Sequence, residues 1–198
     1  AVDLDPDNLN ALFNLGQCHY NLSQLSQAAE VMQRVVDRAP NDLEARVLLA
    51  RAHYFRKRYP QTRKILEGAL MLTQDDPEVL GFYADLMAQM GDFQTAVDYY
   101  DRLLSKQPDA PETLRLKAAA LLALGDADGA LDHYGKVADL EPDSPVSQAD
   151  MGHLLEIMGR TDEAWAVISP ALVRHPGDPA LNLVAACLEQ RAGDPGKA

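Results

Sequence analysis

Between Pro111 and Pro142 the apolar residues fall into two helical sets. Leu114, Ala118, Leu121 and Leu122 stand at i, i+4, i+7 and i+8, and Ala130, Leu131, Tyr134 and Ala138 make a matching face further on. Gly125 separates them, where a left-handed residue would end the first helix. Pro111 suits a helix start, because its missing amide hydrogen would have had no partner there, and Pro142 cannot continue the second helix. The segment is therefore predicted to be two paired helices, with small alanines allowing close approach and larger residues filling the gaps to their neighbours.

The same punctuation recurs along the whole chain at a spacing of 34 residues. Pro6, Pro40, Pro108, Pro142 and Pro176 lie on one grid, with Gln74 at its only vacancy, and Pro77, Pro111, Pro145 and Pro179 lie on a second. Gly91, Gly125, Gly159 and Gly193 keep the same step, as do Ala28, Ala96, Ala130, Ala164 and Ala198, with Thr62 in the missing place. Five full repeats follow, at 9–42, 43–76, 77–110, 111–144 and 145–178, with the end of a preceding one at 1–8 and the start of a sixth at 179–198. Residues 1–198 are expected to form a single array that starts and stops within a repeat, as an excised segment of a larger protein would.

Within this frame the residues resemble the tetratricopeptide repeat family. The first repeat reads Leu12, Leu15, Gly16, His19, Ala28, Met32 and Pro40 at the family's pattern positions, and the third reads Leu80, Tyr83, Ala84, Met87, Ala96, Tyr100 and Pro108. In the fourth, Lys117 has entered a core position; the second departs furthest, with Arg46 for the first apolar residue, Thr62 for the alanine and Gln74 for the proline. The resemblance covers the whole chain. It implies an all-α fold, a right-handed superhelical solenoid of antiparallel helix pairs, with first helices lining a concave surface where a partner peptide or helix lies. The expected function is a non-enzymatic protein–protein interaction scaffold.

On that resemblance, positions 2, 5, 9, 12 and 13 of a repeat project inward. Aromatic and arginine side chains carry much binding energy per ordered rotamer, which draws attention to Phe13, Gln17, Tyr20 and Asn21 in the first repeat and Arg51, Tyr54 and Phe55 in the second. Asp85 and Gln89 in the third and Arg115 in the fourth complete the candidate partner-binding set. The alternative is that the aromatics pack between first helices and stiffen the array. Family members that clamp a chaperone's C-terminal carboxylate use lysine, asparagine and arginine where this chain has Phe13, Gln17, Leu48, Glu78 and Phe82, which argues against chaperone tails as ligands. An asparagine ladder is missing too, the series running Asn14, Leu48, Phe82, Leu116 and Asp150.

Charge sharpens the picture. Thirty acidic against eighteen basic side chains give a net charge of -12, which argues against nucleic acid as a partner. Yet Arg46, Arg51, Arg56, Lys57, Arg58, Arg63 and Lys64 form a positive belt in which Glu44 is the only acid. The belt could meet an acidic partner segment, the acidic face of a second copy in a homo-oligomer, or simply Asp75, Asp76 and Asp85 of the next repeat. The longest stretch without charged residues, Asn8 to Ala29, is too rich in Asn, Gln, Ser and His to span a bilayer.

No chemistry is specified. The two cysteines, Cys18 and Cys187, read as bystander or buried thiols, and His19 and His53 recur one period apart as repeat positions. There is neither a His-Glu-x-x-His run, a Cys-x-x-Cys pair nor a phosphate loop, so no catalytic residue, metal site or cofactor is expected. Two alternatives stand beside the scaffold: a recruitment arm of a larger glycosyl-, methyl- or sulfotransferase, and a self-assembling envelope or secretion scaffold. The opening AVDLDPDN carries neither a basic leader nor an apolar stretch and so does not read as an export signal; it assigns no compartment.

Overall fold

The structure, a computed structural model, describes residues 8–193. The expectations that fall on Pro6, on Ala198 and on the remainder of 1–7 and 194–198 lie outside the described residues. Within them the chain is all helical, with α1 (Leu9–Asn21), α2 (Leu25–Arg38), α3 (Leu43–Phe55), α4 (Tyr59–Leu72), α5 (Pro77–Gln89), α6 (Phe93–Leu104), α7 (Pro111–Ala123), α8 (Ala127–Leu140), α9 (Pro145–Ile157), α10 (Thr161–Arg174) and α11 (Pro179–Gly193). They form two compact units that divide between Asp92 and Phe93.

Helix ends follow the punctuation. Gly91, Gly125 and Gly159 take φ values of 83°, 86° and 75°, and Ser23 and Lys57, at the same place in the first two repeats, take 59° and 58°. At all five the next residue's N–H reaches back to close the helix, as Asp92 does to Met87 and Asp126 to Leu121. Gly193 behaves differently: α11 includes it, and among the described residues no helix follows that would require a turn there.

In the N-terminal unit the core gathers Leu12, Ala28, Met32 and Val35 with Ala45, Leu49 and Ala52 of the next helix. In the C-terminal unit, Ala118, Ala130 and Leu154 form one cluster. Leu155, Ala164, Ile168, Leu181, Val184 and Leu188 form another. The departures from the repeat pattern are accommodated locally. Thr62 is buried with its hydroxyl donating to the Arg58 carbonyl at 3.0 Å, and Lys117, its side chain 13% exposed, places Nζ 2.7 Å from Asp101 Oδ1. Where Gly152 meets α10, an added Cβ would run into Ile168, a β-branched side chain with little freedom to move. Cys18 is exposed and Cys187 half-buried, and both are free thiols.

Candidate functional site

In the N-terminal unit the first helices α1, α3 and α5 present one face, and a groove of ≈ 370 Å³ crosses it. Tyr20 comes from α1, Arg51, Tyr54 and Phe55 from α3, and Pro77, Glu78, Gly81, Phe82 and Asp85 from α5. Tyr54 is the hub. Its ring meets Phe55 edge-on at 5.6 Å and Phe82 edge-on at 5.5 Å, with Tyr59 tilted at 5.6 Å, while Phe55 also reaches Tyr20 at 6.2 Å. Such edge-to-face contacts hold aromatic rings in defined orientations. Burial, with neighbouring Tyr59 and Asp85, holds the Tyr54 phenol above its ordinary pKa. Arg51 Nη2 lies 2.8 Å from Glu78 Oε1 and ties α3 to α5 along the groove's polar side. Phe55 is 59% exposed despite its size.

Five of the ten candidates therefore converge on this groove: Tyr20, Arg51, Tyr54, Phe55 and Asp85. Phe13 and Tyr20 also pack against the core cluster of the unit, as the packing alternative expects of aromatics on first helices. Gln17 and Asn21 of α1 and Gln89 of α5 are exposed and do not line the groove. The sequence marks Phe82 only as a mismatch to the clamp and to the asparagine ladder. Its spacing of four from Glu78 and three from Asp85 is the signal that places it on their face.

Arg115 belongs to the C-terminal unit and is engaged there. Its guanidinium donates to Glu112 Oε2 at 2.9 Å, to Glu141 Oε2 at 2.9 Å and to Ser147 Oγ at 3.2 Å. Its Nε lies 3.2 Å from Asp150 Oδ2 without the alignment of a hydrogen bond. Burial raises the Asp150 pKa against the pull of Arg115, and the Ser147 hydroxyl, with Arg115, lowers that of Glu141.

A second kind of depression lies where a first helix is flanked by two second helices. In the N-terminal unit a notch of ≈ 370 Å³ is lined by Gln33 and Val36 of α2, Arg46, Leu49 and His53 of α3, and Gln61, Lys64 and Ile65 of α4. In the C-terminal unit, three repeats on, Gly135, Ala138, Gln148, Met151 and Val167 occupy register-equivalent places in a notch of ≈ 560 Å³ that also includes Asp139 and Arg174. Arg46 Nε donates to the Pro40 carbonyl at 2.6 Å and Gln148 Nε2 to the Pro142 carbonyl at 3.3 Å, the same bond in two repeats. Burial, then Arg56 and Arg58, lowers the His53 pKa. No cluster of three or more metal-ligating side chains occurs among the described residues, and none of their helices is long and apolar enough to cross a membrane.

The sequence profile of the tetratricopeptide repeat family matches residues 1–52, 23–86, 56–120 and 121–187. Among solved structures, a tetratricopeptide repeat protein from Parabacteroides merdae superposes with a TM-score of 0.84 at 17% identity, over 96% of this chain and 75% of that one. YrrB, described as a TPR protein with an unusual peptide-binding site, gives 0.76 at 13% identity over 94% and 96%. MamA from Desulfovibrio magneticus RS-1 gives 0.79 at 12% identity over 86% and 97%. At these identities the likeness is one of fold. No curated protein matches the chain by sequence.

Proposed function

The chain belongs to the tetratricopeptide repeat family, and from that premise we propose that it is a non-enzymatic scaffold that takes a partner peptide across α1, α3 and α5 in the N-terminal unit. Proteins of this fold act as protein-interaction scaffolds. The observation that carries the finer reading is the convergence of Tyr20, Arg51, Tyr54, Phe55, Phe82 and Asp85 on one groove. Exposed Phe55 and the edges of Tyr54 and Phe82 offer apolar area on side chains with few rotamers to freeze, and Arg51 with Glu78 supplies charged donors and acceptors beside it. Aromatic anchors bordered by a charged pair suit a segment with one large apolar side chain and a polar backbone to either side. YrrB's peptide-binding site, on a chain of the same fold, supports a peptide as the ligand.

The test is affinity capture from a lysate of the source cell on the immobilised protein, comparing wild type with the Arg51→Glu, Tyr54→Ala double variant by mass spectrometry. Helicity of the two should agree by circular dichroism. A protein recovered by wild type and lost by the variant supports the groove, whereas equal recovery by both moves the site elsewhere.

A further inference from the structure

The notch between α2, α3 and α4 shares no lining residue with the aromatic groove. Arg46, Leu49 and His53 recur along α3 at i, i+3 and i+7, a stripe distinct from that of Arg51, Tyr54 and Phe55. Val36, Leu49 and Ile65 give the notch an apolar floor, while Arg46, His53 and Lys64 stand around it with Gln33 and Gln61 and no carboxylate.

The repeat register explains why the notch is open. At the fourth position the first, third and fourth repeats place Leu12, Leu80 and Leu114, all buried. The second places Arg46, whose guanidinium lies over Gly68 of α4 and bonds outward to Pro40, so no apolar side chain fills the space. Gln148 opens the equivalent notch of the C-terminal unit for the same reason, but there Asp139 accompanies Arg174. An open notch is thus a consequence of a polar fourth position, and a uniformly basic rim is not.

The belt adds a second argument. Of its seven cations, Arg51 pairs with Glu78 and Arg63 with Glu67. Arg46, Arg56, Lys57, Arg58 and Lys64 have no carboxylate within ion-pair distance among the described residues, although the protein carries thirty acidic side chains. The Arg58 backbone N–H donates to the His53 carbonyl at 2.9 Å, so the Arg56–Arg58 turn adjoins His53 at the edge of the notch. Like charges held together unpaired are locally unfavourable, and a partner of opposite sign relieves that repulsion.

We propose that this notch is a second docking site, which takes an acidic segment of a partner protein by seating one large apolar side chain on Val36, Leu49 and Ile65 while flanking carboxylates meet Arg46, Lys64 and the Arg56–Arg58 turn. A phosphate polymer has nothing to place on the apolar floor and is repelled at long range by the net charge of -12.

Fluorescence anisotropy with a labelled DEDFEDE peptide tests this on the whole chain. Saturable binding is expected, weakened about tenfold by Lys64→Glu and likewise by Gln61→Glu, both exposed positions on α4 whose exchange leaves the fold intact by circular dichroism. The Arg51→Glu, Tyr54→Ala variant should bind the peptide as wild type does, which separates this site from the aromatic groove. The peptide DEDAEDE should bind about tenfold more weakly, because it leaves the apolar floor uncovered. Absence of saturable binding, indifference to both α4 substitutions, equal affinity for DEDAEDE, or equal competition by oligothymidine would each overturn the proposal.

Discussion

Six first helices start after a residue at one and the same place in the repeat: Asn8, Asp42, Asp76, Ala110, Ser144 and Asp178. Five of these carry a side-chain oxygen that accepts a backbone N–H of the first turn, from Asn8 onto Ala11 at 2.9 Å to Asp178 onto Leu181 at 3.0 Å. Ala110 has the required extended backbone, φ -83° and ψ 102°, and nothing to accept with. Ala110→Asp should therefore supply the missing cap to α7 and stabilise the protein by about 1 kcal/mol, or about 2–4 °C in Tm for a chain of this size. Thermal unfolding checks it, and an unchanged Tm would mean that the start of α7 is held by packing alone. Lys57 shows the opposite departure, a side chain accepted at φ 58° where later repeats have glycine. That strain sits in the turn that also carries Arg56 and Arg58, next to the notch.

At the scale of helices, Arg115 joins α7 to the turn before α9 and to α9 itself through Glu141, Ser147 and Asp150. Its side chain is 23% exposed, so its loss leaves carboxylates without the cation they face. Arg115→Met should cost about 2 kcal/mol near neutral pH. Because Arg115 lowers the pKa of both Asp150 and Glu141, its stabilisation is present while they are ionised and is lost as pH falls through their titration. The difference from wild type should thus narrow in acid, and in the variant Asp150 should titrate higher still. Carboxyl NMR titration with urea unfolding at several pH values reads both effects; a pH-independent loss would assign Arg115 to packing. This is also where legibility in the sequence divides. Helix ends were readable because glycine and proline act on their own backbone, and the small residues at Gly16, Ala50, Ala84, Ala118 and Gly152 mark close approach wherever they recur. The Arg115 network was not, since position 5 of a repeat says that a side chain projects, not that two carboxylates from other segments, Glu141 and Asp150, meet it. The notches escaped for a different reason: a periodic pattern records the residues that fill a core, whereas Arg46 and Gln148 act by failing to fill one.

For the molecule as a whole, charge is the property that separates the two proposed surfaces. Residues 43–64 hold seven of the eighteen basic and one of the thirty acidic side chains, a net charge of +6, which leaves -18 on the rest. The aromatic groove carries Arg51 against Glu78 and Asp85 and presents mainly ring surface, so the peptide binding proposed there draws chiefly on apolar area. The proposed notch site instead draws on five exposed or half-exposed cations that have no carboxylate partner among the described residues. Screening shortens the reach of charge to about 10 Å at 0.1 M salt and about 3 Å at 1 M, while burial of apolar area is left intact or strengthened. Raising salt from about 0.05 M to about 0.5 M should therefore weaken an acidic peptide at the notch by about tenfold. A ligand lost by the Arg51→Glu, Tyr54→Ala variant should keep its affinity within about twofold over the same range. Titrations of both ligands at several salt concentrations decide it. A salt-insensitive acidic peptide would place that binding on apolar contact alone, and a steeply salt-dependent groove ligand would make the Arg51–Glu78 pair, rather than Tyr54 and Phe55, the origin of its affinity.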